Sequence, residues 1–303
     1  MELLWNYGYL GGVNMAIKLI TDSSCDLPKE FVDKNNIDVL PLLLNIEGNI
    51  IEDDFEKTLP YKDFYNKLRE GCLPTTAQIN AYTFDALFRK HVSKGEEVVY
   101  IGISSNLSGT FNSAFIAKQS ILEDYPEAKI NLIDSKSVSL GQGLIVVKVN
   151  ELIKEGKSSE EIIEWVENNN SKVVHAILVE DLDHLKRGGR ISGAAATLGG
   201  LLNIKPILQI DDEGKLVPRD KIKGKKKALR YIVNMIKEKA INSENETLYI
   251  AHGDDIETAE ILRDMILEEV KFKDSMIRYV GVSVGAHGGP GIVAAVFLAS
   301  DRK

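Results

Sequence analysis

Cysteine is scarce in this chain and does not occur in a metal-binding pattern. Only Cys25 and Cys72 are present among the 303 residues, with no CxxC motif and no histidine-rich tract. Two cysteines so far apart in sequence are typical of a protein from a reducing compartment and carry no signature of a metal site. We therefore predict a cytoplasmic protein without a metal ion or another cofactor.

Long apolar runs are also absent. No stretch approaches the roughly 20 residues that a helix needs to cross a bilayer, so we predict no stable membrane insertion. Residues 1–14 lack the basic start and the long apolar core of a signal peptide. Because Met15 is followed at once by the apolar run 17–20, we expect the fold to start at Met15. Residues 1–14 are then a loosely attached leader.

Positive charge is in deficit. The chain has 37 lysines and arginines against 45 aspartates and glutamates, which gives a net charge of -8. This balance argues against nucleic acid or an anionic membrane as a partner. The only marked basic run, residues 223–227, opens an amphipathic helical pattern, and we interpret it as a solvated helix face.

The first half of the chain has the pattern of a parallel sheet. A length of 303 residues favours two domains. Up to residue 172, short apolar runs typical of strands alternate with helical patterns, which implies parallel strands joined by helices. The predicted strands are residues 17–20, 39–44, 97–103 and 130–133, and the predicted helices begin near Pro28, Pro60, Asn80 and Ser108.

Two helices of this half have a clear apolar face. Asn80 is a suitable cap for the first of them, and the second follows Ser108. Their apolar faces are predicted to be Phe84, Leu87 and Phe88 in the first, and Phe111, Ala114, Phe115 and Ile121 in the second.

The second half mixes a hairpin with helices. The turn residues 211–214 lie between two apolar runs and predict a β-hairpin. The other predicted elements are strands at 173–179, 248–251, 276–280 and 292–298 and helical stretches at 182–200, 225–240 and 256–270. We predict an α/β protein with two domains. Residues 15–172 form an N-terminal parallel-sheet α/β domain, and residues 173–303 form a C-terminal α+β domain with a mixed sheet.

Two hydroxyl-rich segments are the most informative motifs. PTTAQ at 74–78 and SSNLSGT at 104–110 each precede a helical pattern, and the second directly follows a predicted strand. Ligands of open α/β sheets bind at the carboxyl ends of the strands, where free backbone N–H groups favour an anion. Hydroxyl groups without a basic partner suit holding a polar head group rather than attacking it. Two such turns on neighbouring loops would converge on one crevice.

Three further polar turns have both a functional and a structural interpretation. DSSCD at 22–26 closes the first strand and either lines the crevice or caps a helix. The cationic turn LKRGGRISG at 185–193 either faces an anion or a partner protein, or is simply exposed. HGGPG at 287–291 places His287 before the last strand, where it either binds an anionic head group, acts as a base or is structural.

Two enzymatic alternatives remain open at this point. A serine hydrolase or acyltransferase would combine Ser105 with His287 or His252 and an aspartate. The chain has no Gly-x-Ser-x-Gly nucleophile elbow, which argues against this alternative. A phosphotransferase that binds nucleotide itself is the weaker alternative, because the cationic turn lacks the spacing of a phosphate-binding P-loop.

Taken together, these segments resemble the DegV family of bacterial fatty-acid-binding proteins. The similarity extends from Met15 to the C-terminus, and six ordered motifs carry it, although each alone is weak. The motifs are TDSS at 21–24, PTTAQ at 74–78, SSNLSGT at 104–110, LKRGGRIS at 185–192, LLNIKPIL at 201–208 and HGGPG at 287–291.

The resemblance implies a non-enzymatic carrier with a long-chain fatty acid, such as palmitate or oleate, buried between two domains. Thr76 and Ser105 would hold the carboxylate, with Ser104 and His287 as neighbours. The family also implies a separate fatty-acid kinase that phosphorylates the bound ligand for phospholipid synthesis. We assign part of the contact with this kinase to the cationic turn, at Lys186, Arg187 and Arg190.

The chain departs from the usual family pattern in the threonine turn. Ala77 stands where a serine is common, and Ile79 where a proline is common. Thr76 and Gln78 remain, so the head-group assignment is kept. The departure bears on which chain length or degree of unsaturation the pocket prefers.

Overall fold

The structure, a computed structural model, describes residues 16–180, 182–191 and 203–302. The predicted leader therefore lies outside the described residues, as do residues 192–200 of the stretch 182–200 that was predicted as helical. The strands are β1 (Ile17–Asp22), β2 (Asp38–Leu40), β3 (Leu43–Ile46), β4 (Asn49–Glu52), β5 (Thr75–Ala77), β6 (Glu97–Gly102), β7 (Ile130–Asp134), β8 (Val173–Leu178), β9 (Ile204–Ile210), β10 (Leu216–Lys223), β11 (Thr247–His252), β12 (Asp274–Tyr279) and β13 (Val293–Leu298).

Helices cover the sheets and connect their strands. The α-helices are α1 (Lys29–Lys34), α2 (Tyr61–Arg69), α3 (Ala81–Val92), α4 (Thr110–Asp124), α5 (Leu140–Lys154), α6 (Ser159–Asn169), α7 (Asp183–Arg187), α8 (Lys225–Lys239), α9 (Ile256–Leu267) and α10 (Val282–Gly288). Asn80 caps α3 as predicted, because its side chain accepts a hydrogen bond from the backbone N–H of Thr83.

Three sheets organise the described residues. A parallel sheet has the order β2-β1-β6-β7, and a small antiparallel sheet has the order β4-β3-β5. A mixed sheet of six strands has the order β10-β9-β8-β13-β11-β12. These sheets confirm the predicted α/β class, with a parallel sheet in the first half and a mixed sheet in the second. The division at residues 172 and 173 into two domains stays a prediction.

The largest group of buried apolar side chains includes residues from both halves of the chain. Leu19, Val99 and Ile101 from the parallel sheet belong to the same cluster as Ile177 and Leu208 from the mixed sheet. Burial of apolar surface is the dominant favourable term in folding, so this shared core joins the two halves firmly.

Two predictions of the sequence were wrong. The run 39–44 is not one strand, because Pro41 lacks the N–H that a sheet interior needs and the strand ends at Leu40. The chain resumes in β3, which belongs to the small antiparallel sheet. On α4, Ala114 and Ile121 are buried as predicted, but Phe115 is 51% exposed.

Candidate functional site

An apolar cavity lies between the parallel sheet and the mixed sheet. Loops after β1 and β6 line it from the first half, and β8, the β9–β10 hairpin and α10 line it from the second. Its apolar lining is Leu42, Ile103, Leu107, Val138, Ile177, Leu185, Leu208, Ile210, Leu216, Val284 and Ile292, and its polar lining is Ser24, Thr76, Ser108, Arg190, Ser283 and His287. An apolar pocket with a few polar groups is the usual form of a small-molecule site.

Thr76 and His287 meet at the polar end of this cavity. Thr76 lies on β5, opposite Leu44 of β3. His287 lies in the last helical turn of α10, although the glycines after it had suggested a loop. Thr76 Oγ1 and His287 Nε2 are 2.8 Å apart. These two side chains come from opposite halves of the chain, so the pair joins the two halves at the cavity.

The imidazole of His287 is neutral and has one unused nitrogen. Burial, and the nearby positive charge of Arg190, lower the pKa of His287 to about 4. Nδ1 is buried and has no hydrogen-bond partner within the described residues. A Cβ atom on Gly188 would lie 2.1 Å from this nitrogen, so glycine is required there. A buried ring nitrogen without a partner is costly, and a polar ligand atom would relieve that cost.

Arg190 lies beside the cavity rather than on the outer surface. Its Nε donates to the carbonyl of Leu107 at 3.1 Å, and its Nη1 donates to the carbonyl of Gly188 at 2.6 Å. These bonds hold the guanidinium half-buried next to His287. Arg190 therefore supplies positive charge to the cavity, and its predicted contact with a partner stays a prediction.

The polar end of the cavity continues into a polar surface pocket, which we call the mouth. The two share Thr76, Arg190 and His287, and Gly188 lines the mouth alone. The mouth is completed by Leu73, Pro74, Thr75, His184, Arg187 and Ala286. Arg187 and Lys186 are both exposed, and Arg187 faces the mouth. A ligand head group at Thr76 and His287 would therefore be reachable from outside.

The loop after β6 presents Ser108 to the cavity, instead of the two serines chosen from the sequence. Ser105 is exposed, and its hydroxyl donates to Asp134 Oδ2 at 2.6 Å. The buried hydroxyl of Ser104 donates to the carbonyl of Gly214 at 2.8 Å, at the tip of the β9–β10 hairpin. Neither serine lines the cavity. Ser108 belongs to the same motif and is the serine of this loop that lines the cavity.

Asp22 fixes the loops that carry these hydroxyl groups. Its carboxylate accepts from the hydroxyl of Tyr100 at 2.8 Å and from the backbone N–H of Ile103 at 3.0 Å. The same carboxylate accepts from the Gln142 side chain and from Ser24. These buried, satisfied bonds join the ends of β1 and β6, so the cavity wall is rigid on this side.

The contacts of Ser105 do not form a nucleophile–base pair. Its hydroxyl is bonded to Asp134, whereas His287 is bonded to Thr76. His252 is buried, accepts from the backbone N–H of Asp255 and packs its ring against Tyr279. Cys25 is also buried, and its burial raises the pKa of the thiol, which makes it a poor nucleophile.

Metal-binding clusters and membrane-spanning helices are both absent from the described residues. No group of three or more histidine, cysteine, aspartate or glutamate side chains there is arranged to hold a metal ion. Within the same ranges, none of the helices has the length and apolar character needed to cross a membrane.

The fold and the cavity define a class of α/β proteins that enclose an apolar pocket between a parallel and a mixed sheet. The chain belongs to the DegV family, whose sequence profile, described as that of an uncharacterised protein family, matches residues 16–300. A DegV domain-containing protein of Clostridium perfringens is 43% identical over 285 residues, which cover 94% of this chain and 98% of the relative.

Solved structures of the family are also similar to this one. A DegV family protein from Thermus thermophilus, described for its fatty acid binding, is 31% identical with a TM-score of 0.86, covering 94% of this chain and 100% of that one. DegV from Bacillus subtilis, described as a fatty acid binding protein, is 32% identical with a TM-score of 0.78 and the same coverage. A stearic acid-binding protein from Eubacterium ventriosum is 26% identical with a TM-score of 0.82, covering 94% and 98%.

Proposed function

We propose that this protein binds a long-chain fatty acid in the apolar cavity, with the carboxylate at Thr76, Ser108 and His287. The observation that carries the proposal is an apolar cavity whose lining includes Thr76 and His287, with a buried His287 Nδ1 that has no hydrogen-bond partner among the described residues. Family membership supports it, because similar DegV structures are described as fatty-acid-binding proteins.

The acyl chain supplies most of the affinity. Burying about 14 methylene groups at ~0.8 kcal/mol each gives on the order of 10 kcal/mol before the costs of association are subtracted. Leucine, isoleucine and valine side chains line the cavity on both sides, so no polar wall interrupts the chain. Affinity is therefore expected to rise with chain length until the cavity is full.

The head group is held by hydrogen bonds and by the positive charge of Arg190. A buried carboxylate must keep hydrogen bonds or become protonated. The hydroxyls of Thr76 and Ser108 and the ring of His287 are the hydrogen-bonding groups at the cavity surface. Thr76 and the neutral ring of His287 are bonded to each other, so one of the two donates to the carboxylate, and the tautomer of His287 decides which. Two of the four predicted ligand residues, Thr76 and His287, remain in this assignment, and Ser108 takes the role that was given to Ser104 and Ser105.

We further propose that the protein presents this carboxylate to a partner fatty-acid kinase and has no catalytic activity of its own. The mouth supports this step, because Arg187 and the exposed edge of the Thr75–Thr76 segment surround the open end of the cavity. An external enzyme could reach one carboxylate oxygen there without extracting the acyl chain. Lys186 and Arg187 are the proposed contacts for that enzyme.

Mass spectrometry of the purified protein tests fatty-acid binding. Under native conditions we expect an added mass that matches a C14–C18 fatty acid and that is lost on denaturation. Delipidated protein should bind palmitate or oleate again. A protein without added mass that also ignores both fatty acids would overturn the proposal.

Phosphorylation assays with a bacterial fatty-acid kinase test presentation. The loaded protein, kinase and ATP should yield an acyl phosphate, whereas the loaded protein with ATP alone should not. Arg187→Ala should slow this reaction without changing oleate affinity. Product formation without the kinase would instead favour the nucleotide-binding alternative.

A further inference from the structure

Helix α10, which carries His287, has no N-terminal cap of its own. Its N-cap position is Gly281, and no side chain at that position bonds the first turn. The first N–H groups of any helix lack partners within the helix and need acceptors when they are buried. The same helix contributes Ser283, Val284 and His287 to the cavity, so the way it is held bears directly on the site.

Two buried carboxylates from the first half of the chain provide the missing cap. Gly281 N–H donates to Asp26 Oδ1 at 3.0 Å, and Ser283 N–H donates to Asp53 Oδ2 at 3.3 Å. Asp26 and Asp53 are 6% and 3% exposed. Asp26 follows the turn after β1 and Asp53 follows β4, so two separate segments of the first half reach the same helix end.

Gly281 allows this close approach. Its φ of -62° is accessible to any residue, so backbone conformation does not require glycine. A Cβ atom there would lie 2.6 Å from Asp26 Oδ1, which does require it. Just before the helix, the carbonyl of Val280 accepts a hydrogen bond from the Tyr65 hydroxyl at 2.8 Å. The start of α10 is therefore bound to the first half at three points, residues 280, 281 and 283.

We propose that Asp26 and Asp53 are positioning residues, which seat α10 so that His287 reaches Thr76. The helix has only two turns, so anchoring its first turn fixes the direction of its last turn. Thr76 belongs to the first half and His287 to the second, and the carboxylates cap the helix across the same boundary. As far as it concerns ligand affinity, this inference rests on the proposed fatty-acid binding.

Burying these carboxylates costs free energy, which indicates that their hydrogen bonds to α10 have a specific role. Burial raises the pKa of Asp53 to about 6 and raises the pKa of Asp26 well above its ordinary value. A buried ionisable group is costly unless it is hydrogen-bonded. The helix N–H groups, and the Ser139 hydroxyl that donates to Asp26, provide that compensation.

The test follows the ring of His287 in Asp53→Ala, by NMR of protein with ¹⁵N-labelled histidine. His287→Gln identifies the signal. In the wild type we expect a ring that stays neutral down to about pH 4. In Asp53→Ala, His287 should become mobile and titrate closer to its ordinary value. Asp53→Asn keeps an oxygen for Ser283 N–H and should restore the wild-type signal.

A matched control removes a capping carboxylate from a helix that does not line the cavity. Asp255 caps α9, where its side chain accepts from Thr258 N–H at 3.2 Å. Asp255→Ala should leave the His287 signal unchanged. If Asp53→Ala does not fold, Gly281→Ala perturbs the same helix start and should have the same effect on His287. An unchanged His287 signal in the variant that folds would overturn the positioning role.

Oleate affinity provides a second, separate measurement. Asp53→Ala should bind oleate about fivefold to tenfold more weakly, as expected for the loss of one helix-capping hydrogen bond. If wild-type protein binds no fatty acid, the proposed function fails, while the His287 signal still decides the positioning role. If the wild type binds and Asp53→Ala binds equally well, the proposed function stands and the positioning role fails.

Discussion

At the scale of single residues, three serines in the loop after β6 have three different surroundings. Ser104 bonds the hairpin tip, Ser105 bonds Asp134 and Ser108 lines the cavity. The motif identified this loop as part of the site, because its position after a strand is visible in sequence. Which hydroxyl points inward depends on bonds to distant residues, Gly214 for Ser104 and Asp134 for Ser105, and those are not visible in a local pattern.

Replacing Thr76 by valine keeps the shape of the side chain and removes its hydroxyl. We expect oleate affinity to fall about tenfold or more, because a hydrogen bond to a charged group contributes about 1.5–3 kcal/mol. Isothermal titration with delipidated protein measures the change. Ser105→Ala, in the neighbouring hydroxyl motif, is the control and should bind like the wild type. Equal losses in both variants would contradict the assignment of the head group.

At the scale of elements, caps and hairpins could be predicted from local sequence. Pairings between distant segments could not. The cap at Asn80 and the hairpin around Gly214 were predicted because each depends on a few adjacent residues. The pairing of β5 with β3 joins segments about 30 residues apart, so Thr76 was expected in a turn. The cap of α10 was missed for the same reason, since Asp53 lies 230 residues from Ser283.

The β9–β10 hairpin forms one wall of the cavity and is fastened at its tip. Leu208, Ile210 and Leu216 of the hairpin line the cavity. At the tip, the carbonyl of Gly214 accepts from Ser104. The carbonyl of Glu213 accepts from the Asn106 side chain at 2.7 Å. These contacts connect the hairpin directly to the loop after β6.

Ser104→Ala is therefore expected to loosen this wall. The loss of one neutral hydrogen bond should lower the free energy of unfolding by about 1 kcal/mol. Amide hydrogen exchange across residues 204–223 and the dissociation rate of oleate should both increase. Ser93→Ala is a suitable control, because Ser93 makes the same hydroxyl-to-carbonyl bond at the exposed end of α3. Unchanged exchange in the hairpin of Ser104→Ala would show that the tip contact is dispensable.

At the scale of the whole molecule, Arg302 ties several parts of the chain together. This residue is 2% exposed and donates to the carbonyls of Val173, Asp211 and Asn170 and to the hydroxyl of Ser137. The acceptors come from both halves of the chain. A guanidinium has five donors in a fixed plane, which suits this arrangement better than an ammonium does.

Arg302→Lys should destabilise the protein by about 2–4 kcal/mol, because several buried acceptors lose a charged donor at once. Urea denaturation measures the change in the free energy of unfolding. Arg263→Lys, where the arginine pairs with the adjacent Asp264 at the surface, should cost less than about 0.5 kcal/mol. Similar losses in the two variants would contradict the special role of Arg302.

His175 makes the stability of the closed molecule depend on pH. It lies on β8 against α5, where a Cβ atom on Gly141 would be 1.9 Å from its Nε2. Burial and the nearby Arg302 lower the pKa of His175 to about 3. Between pH 6.5 and this value the unfolded chain binds a proton that the folded protein does not. The contribution of His175 to stability is therefore complete above pH 6.5 and declines as the pH falls towards 3.

His175→Gln removes this titration and keeps a polar side chain. Between pH 7 and pH 4, the stability of the variant relative to the wild type should rise by about 3 kcal/mol. Urea denaturation of both proteins at a series of pH values measures this difference. Asp53 and His287 titrate in the same range but occur in both proteins, so their contributions cancel. A difference that stays constant with pH would mean that His175 accepts a proton in the folded protein, and the junction of β8 with α5 would have to be open enough to solvate it.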